Sequence, residues 1–457
     1  MDAAAPRRAY LDHNATTPVA PEVLEAMLPW FRDEPGNPSS LHGSGERAHA
    51  ALSRARAQVA RLCGGRPDSI TFTSGATEAT NLAIHLALGR AGAERPRVVT
   101  SAVEHPATAE PLRALGDAID LVEVGVDTTG ALDRDALLAA LTADTALCTL
   151  ILVNNETGRV LEPETLAAVA ERCHELDIPL HLDAVQAAGK LPLDLPALGA
   201  SLASLSAHKL HGPKGVGALW TAPGLQEGEP RPLLHGGPQE CGLRAGTENL
   251  PGIVGFGVAA ELGAARAADE GARGALEALR DRLEAGILAA VPDAVVAAAG
   301  SPRAPGTLCV EFHGLDGEAA LLMLSHHGVE VSTGSACGST HHAPSHVLLA
   351  MGRSEAQAAS SLRLSLSHET TDEDVDQALE VLPGVVEALR SGLIDIISSM
   401  HTPQDEESKR LPFEEAASGA VALETLLPAA LRLYHAGQLE LPRLFRAMAL
   451  NPARRLG

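Results

Sequence analysis

The chain has 457 residues, 45% of them apolar and 20% charged, and 35 Lys and Arg against 58 Asp and Glu leave a net charge of −23. That length suits about three domains or two large ones, and the composition is that of a folded globular chain, not a disordered one. So acidic a surface repels nucleic acid and anionic membranes, which makes neither an expected partner, and an acidic small substrate needs a local positive site.

Short β-branched runs at 70–73, 97–100, 121–124, 147–153, 180–183, 202–206 and 217–220 read as strands. Between them, 76–88 and 163–176 read as helices. The β-α-β-α order predicts an α/β fold with a mainly parallel sheet covered on both faces, and ligands bind such sheets beyond the carboxyl ends of the strands. The pattern changes near Gly257: residues 258–288 read as one helix, and strand-like pieces return at 307–312 and 361–367, predicting a second, smaller α+β domain. The segment 401–410 turns polar, and the last stretch reads as helical.

No apolar run reaches the ~20 residues that span a bilayer, and the N-terminal residues lack the apolar stretch of a signal peptide. The six cysteines, Cys63, Cys148, Cys173, Cys241, Cys309 and Cys337, show neither a CxxC pair nor zinc spacing. Reduced thiols, a cytoplasmic location and no metal are the expectation.

Three segments could carry chemistry. In Ser206-Ala207-His208-Lys209-Leu210-His211-Gly212-Pro213-Lys214-Gly215, a lysine directly follows an apolar strand. It is either a surface-loop residue or an amine desolvated at the sheet edge and able to form a Schiff base. In Leu180-His181-Leu182-Asp183-Ala184-Val185-Gln186, the aspartate is either a helix N-cap or a carboxylate for a pyridinium nitrogen. In Thr73-Ser74-Gly75-Ala76-Thr77-Glu78, a strand turns through glycine into a helix, where free N–H groups and the Thr77 hydroxyl suit a phosphate; an ordinary strand-to-helix turn reads the same. Gly43-Ser44-Gly45-Glu46-Arg47-Ala48 has dinucleotide-loop spacing, but no strand precedes it.

These pieces occur in one order with Tyr10-Leu11-Asp12, Ala15-Thr16-Thr17-Pro18, Gly36-Asn37-Pro38, Val103-Glu104-His105, Val153-Asn154-Asn155-Glu156-Thr157-Gly158, Gly242-Leu243-Arg244-Ala245-Gly246-Thr247 and Ser332-Thr333-Gly334-Ser335-Ala336-Cys337. Together they resemble the cysteine desulfurases, class V members of the fold-type I pyridoxal phosphate enzymes, from Tyr10 to about Leu389. The resemblance implies a large seven-stranded-type sheet domain at 21–256, a small domain at 257–390 with the Cys337 loop, and a segment 1–20 joining the small domain. It further implies pyridoxal 5′-phosphate bound to Lys209 as a Schiff base. Asp183 would pair with the ring nitrogen, Asn155 and Gln186 would contact the ring's oxygen side, and His105 would stack on the ring and serve acid–base steps. Ala76, Thr77, Ser206 and His208 would hold the phosphate, with Thr247 reaching the phosphate of a partner subunit in a homodimer. Arg363, with Asn155, would bind the substrate, the arginine gripping its carboxylate as a bidentate fork. L-Cysteine would become L-alanine, with the sulfur held as a persulfide on Cys337 and passed to a sulfur-acceptor protein for iron–sulfur assembly or thio-modification. The Cys337 segment must then move between substrate and acceptor, which Gly334, Ser335, Gly338 and Ser339 suit. Ala207, Pro238, Leu364, Ser367 and His368 depart from the family pattern without removing a catalytic group.

The other thiols read as buried small hydrophobes, except Cys241 in a polar loop, and His341-His342 reads as a solvated pair. Beyond Arg390 the resemblance changes. Gly392-Leu393-Ile394-Asp395-Ile396-Ile397, Lys409-Arg410-Leu411-Pro412-Phe413 and Asn451-Pro452-Ala453-Arg454-Arg455-Leu456-Gly457 resemble the end of a dihydroorotase. A metal-binding barrel needs ~200 residues, the chain has no HxH pair, and Met400 stands where that family carries its catalytic aspartate, so 391–457 is expected to be a non-catalytic helical extension. Two rival readings are a selenocysteine lyase-like enzyme and a non-catalytic fusion scaffold.

Overall fold

The computed structural model describes residues 8–225, 231–334 and 344–391. In chain order the first elements are β1 (Ala9–Tyr10), α1 (Pro21–Arg32), α2 (Gly43–Leu62), β2 (Ile70–Thr73), α3 (Ala76–Arg90), β3 (Arg97–Ser101), α4 (Pro106–Ala114) and β4 (Asp120–Val124). Next come α5 (Arg134–Ala140), β5 (Thr145–Ile151), α6 (Pro163–Glu175), β6 (Leu180–Asp183), β7 (Leu202–Ser206) and β8 (Gly217–Thr221). Then follow α7 (Leu250–Ala268), α8 (Glu270–Ala290), β9 (Val295–Val296), β10 (Thr307–Glu311), α9 (Gly317–His326), β11 (Val329–Glu330) and β12 (Ser332–Thr333). The last are α10 (His346–Ala350), α11 (Glu355–Ala359), β13 (Ser361–Ser365) and α12 (Asp372–Ser391).

A seven-stranded sheet runs β2-β8-β7-β6-β5-β3-β4. Only β8 opposes its neighbours; the other pairings are parallel. Strands β5, β6 and β7 are buried along their whole length, as sheets covered on both faces require. On one face, α2 and α7 pack through Ala48, Ala51, Ala55, Val59, Phe256 and Ala260 onto the sheet. On the other, Ala79, Leu82 and Ala83 of α3 meet Leu112, Leu147 and Leu219. Alanine-rich faces take the place of the scarce aromatics and let the helices lie close.

A second sheet, β12-β13-β10-β9, is antiparallel and packs against α8, α9 and α12 through Leu283, Ile287, Phe312, Leu324, Leu382 and Val386. Leu11 joins this core, and β1 pairs in parallel with β11. The predicted single helix over 258–288 is corrected to two. Helix α7 begins eight residues earlier, capped by Asn249, and ends at Asp269, whose carboxylate then caps α8 by accepting the Ala272 N–H at 3.0 Å. Asp269 reads as one more polar residue on a helix face, but its side chain competes for backbone N–H groups and starts a new helix instead. Among the described residues, no helix is long and apolar enough to cross a membrane. The 391–457 extension and the loop residue Cys337 lie outside the described residues, apart from the last residue of α12.

Candidate active site

Strand β6 ends at Asp183 and β7 at Ser206, followed by a single turn, Ala207–Lys209. Strand β3 leads into His105, and β5 into the Asn154–Gly158 loop. Because β3, β5, β6 and β7 run parallel, all these residues emerge at one sheet edge.

Lys209 is half-buried, and its Nζ donates to the backbone carbonyls of Asn14 at 2.6 Å and Ala15 at 2.8 Å. Asn14 is also the hub for its neighbours. Gln186 Nε2 donates to its carbonyl at 3.0 Å, and Lys190 Nζ donates to its side-chain oxygen at 2.7 Å. The Asn14 side-chain amide donates to the Asn155 carbonyl at 3.2 Å and to Thr307 Oγ1 at 3.0 Å. Lys190 also donates to Gln186 Oε1, and burial, then the charges of Lys209 and Arg363, push its amine down to about 7.

Asp183 is buried, and burial pushes its carboxyl up to about 6 against the opposing pull of the Val185 N–H, 3.0 Å from Oδ1, and of Lys209. His105 is pushed down to about 4 by burial and then by Lys209, His346 and Arg363. Its Nδ1 accepts the Ala107 N–H at 3.0 Å, capping α4, so the proton of the neutral ring sits on Nε2. Glu104 beside it is fully buried and pushed up to about 8; one oxygen accepts Ser101 Oγ at 2.6 Å and the Ile151 N–H at 2.9 Å.

Arg363 stands on β13, only 2% exposed, between the two sheets. Its Nη2 donates to Asp12 Oδ1 at 2.8 Å and its Nη1 to the Asn155 carbonyl at 3.2 Å, while its Nε has no hydrogen-bond partner among the described residues. Glu156, buried and pushed up to about 7 by burial, accepts the Ser345 hydroxyl. A Cβ on Gly334 would stand 2.8 Å from the same carboxylate. Both flanks of segment 335–343, which contains Cys337, therefore meet Glu156 next to Asn155. His346, one residue past Ser345, hydrogen-bonds the Glu104 carbonyl through Nε2 at 2.8 Å.

At the start of α3, Gly75 is the N-cap and supplies no side-chain oxygen, and a Cβ there would meet nothing within 4 Å. The N–H groups of Ala76 and Thr77 thus begin a helix whose positive end is open to an anion. His208 faces Thr16 at 3.2 Å through Nδ1, and Ser206 is buried at the end of β7. Thr247 is exposed on a loop whose neighbours Arg244, Gly246 and Glu248 line a separate cleft of about 350 Å³ with Thr73 and Ser74. The structure therefore gathers Lys209, Asp183, His105, Asn155, Gln186 and Arg363 at one edge and leaves Thr247 at the surface.

The Aminotransferase class-V family model matches residues 9–378. A cysteine desulfurase of Cereibacter sphaeroides is 49% identical over 392 residues, spanning 84% of this chain and 97% of that protein. The chain belongs to the class-V aminotransferases, among the cysteine desulfurases. Within that family, the cysteine desulfurase NifS of Azotobacter vinelandii is 44% identical over 84% of this chain and 93% of its own. A solved NifS-like protein superposes with a TM-score of 0.75 at 35% identity, covering 84% of this chain and all of the other.

The family implies pyridoxal 5′-phosphate, and the desulfurase fold offers donors that fit it. A buried carboxylate with a raised pKa suits a cationic ring nitrogen, a half-buried amine suits a Schiff base, and an open helix N-terminus suits a phosphate. Sequence reasoning missed Asn14, Lys190 and Asp12 as site residues. Asn14 adjoins the Ala15-Thr16-Thr17-Pro18 motif, and Lys190 follows Gln186 by four positions, one helical turn; both signals were present. The remaining described thiols do not compete as nucleophiles except by exposure. Cys63, Cys148, Cys173 and Cys309 are buried, and burial pushes Cys309 up to about 12, whereas Cys241 is exposed.

Proposed function

We propose that the protein is a cysteine desulfurase that converts L-cysteine to L-alanine and keeps the sulfur as a persulfide on Cys337 for a sulfur-acceptor protein. The reaction balances: the substrate C–S bond breaks, the Cys337 sulfur bonds the released sulfur, and the substrate carbon gains a hydrogen. The observation that carries this reading is the convergence of Lys209, Asp183 and His105, from three strand ends, within electrostatic reach of one another.

Pyridoxal 5′-phosphate, when bound to Lys209, supplies an electron sink for the substrate Cα. Buried Asp183 would hold a positive ring nitrogen, and Gln186 and Asn155 would contact the ring's oxygen side. Ala76, Thr77, Ser206 and His208 hold the phosphate. Lys209 Nζ would take the Cα proton, and neutral His105 would stack on the ring with its Nε2 proton available for transfer. Arg363 binds the substrate carboxylate by giving up part of its contact with Asp12 and using its unpartnered Nε. Cys337 follows Gly334 by three positions in the sequence.

The expected boundary at 256/257 falls inside α7, whose Phe256 and Ala260 both pack on the large sheet, so the cofactor-binding domain runs from 21 to the end of α7 and the smaller one follows to 390, joined by 1–20 through β1. The enzyme acts as a cytoplasmic homodimer in which Thr247 reaches the partner's phosphate; its surface position supports that role. The sulfur serves iron–sulfur cluster assembly or thio-modification. Residues 391–457 have no hydrolase activity. Alanine and persulfide are measured from L-cysteine with wild type, Lys209→Ala and Cys337→Ala. The Lys209 variant makes no alanine and the Cys337 variant no persulfide; undiminished persulfide in the Cys337 variant overturns the assignment. Faster turnover of selenocysteine with no persulfide from cysteine would make the protein a selenocysteine lyase instead.

A further inference from the structure

The cleft of about 650 Å³ that holds Lys209 is lined at one end by His13, His211, Arg266 and His368. There the fold brings His211 beside the adjacent pair His368-Glu369, more than 150 residues further along the chain. Donor atoms of His211, His368 and Glu369 all lie within 4.8 Å of one another, and they are the one such trio among the described residues. His211 Nδ1 is 3.6 Å from the Glu369 carboxylate, and the His211 and His368 rings meet edge to face at 4.3 Å between centroids.

His211 is only 4% exposed, yet among the described residues its Nδ1 has no hydrogen-bond partner. Nδ1 is the ring nitrogen that faces the Glu369 carboxylate, so neutral His211 with its proton on Nε2 presents a lone pair there. The backbone at His211 is left-handed, φ 66°, and its N–H donates to Thr17 Oγ1 at 2.8 Å, so the imidazole is held in place.

We propose that His211 Nδ1, His368 and the Glu369 carboxylate form a binding site for a first-row divalent cation, Zn²⁺ above all, at the end of the cleft that contains Lys209. Two imidazoles and one carboxylate are a common zinc set with a fourth position open. Zinc bonds of about 2.0–2.1 Å place tetrahedral ligands about 3.3–3.4 Å apart. The His211–Glu369 edge is already close to that, and the exposed His368 and Glu369 side chains have room to close the others. The Arg266 guanidinium lies close enough to act on both imidazoles. The same Arg266 charge opposes a cation and is partly offset by Glu22, which lies close enough to raise His368.

The test uses full-length protein, stripped with a chelator, with thiols alkylated and His341 and His342 both changed to Ala so that neither competes. Zn²⁺ alone is titrated in competition with a chromophoric chelator. One equivalent binds per chain, and His368→Ala and Glu369→Gln each weaken it by about tenfold or more. Arg266→Gln tightens it by about threefold, because a like charge is removed. The exposed positions of His368 and Glu369 leave the fold intact, checked by unchanged melting. Failure of the parent protein to take up one equivalent, or equal affinity in both ligand variants, overturns the proposal. Neither result bears on turnover of L-cysteine, so the site and the proposed activity stand or fall separately.

Discussion

Lys190 donates from Nζ to the Asn14 side-chain oxygen at 2.7 Å, on the same residue whose backbone carbonyl receives Lys209 Nζ at 2.6 Å. Two half-buried lysines thus share one asparagine. Asn14→Ala takes one partner each from the Lys190 amine, the Asn155 carbonyl and the Thr307 hydroxyl, and is expected to cost about 1–3 kcal/mol by denaturant unfolding. Lys190→Met in the same chain removes that amine and recovers part of that loss. Strictly additive losses in the double variant would show that the two residues do not act as a pair.

His105 has a structural and a chemical task that separate cleanly. Its Nδ1 caps α4 by accepting the Ala107 N–H. His105→Asn keeps an acceptor there, so melting is nearly unchanged while alanine formation falls by about 10²-fold or more. His105→Ala additionally loses about 1 kcal/mol of cap stabilisation. Full activity in the Asn variant would reduce His105 to a cap.

Glu104 titrates in a range that stability measurements can see. Its folded carboxyl stands at about 8 because of burial, with the nearby Asp183 adding to the rise. Between the ordinary value of about 4.5 and 8 the folded state keeps a proton that the unfolded state has released. Its contribution is therefore complete below the lower value and is lost as pH rises through the upper one, at up to about 1.4 kcal/mol per pH unit. Glu104→Gln keeps the oxygen that accepts from Ser101 and Ile151 but does not titrate. The stability of the variant relative to wild type, in apoprotein, should climb from pH 5 to 8 by roughly the slope above; a flat difference would place the Glu104 proton elsewhere.

Gly217 begins β8 where it pairs with both Thr73 and Ser206. A Cβ there would stand 2.6–2.7 Å from the backbone of Gly75, with no side chain to yield. Gly217→Ala should push the Gly75-Ala76 turn outward, cost about 1–3 kcal/mol and weaken cofactor retention on dialysis more than it lowers helix content. Wild-type retention would show that the α3 start does not hold the phosphate.

Much of this was readable from the residues. Strands β2, β6 and β7 fall on the predicted runs because fully buried parallel strands are short, apolar and bounded by turns. Asp183 and Lys209 stand out because polar groups end such runs. Two kinds of feature resisted. Asp269 breaks a helix by side-chain capping, which an amphipathic pattern does not register. Asn14 and Arg363 meet the site from 195 residues before Lys209 and from the second sheet, so only the tertiary fold shows that Asn14 ties Lys209, Gln186, Lys190 and Asn155 together. The trio of His211, His368 and Glu369 escaped for the same reason.

The central claim is that Lys209, not its neighbour Lys190, carries the cofactor. Both amines lie in one cleft, but only Lys209 is among the charges that act on Asp183 and His105. Borohydride reduction of the holoenzyme followed by peptide mass mapping decides between them. A pyridoxyl mass on the peptide containing Lys209 is the predicted result; the same mass on the Lys190 peptide, or on neither, would contradict it.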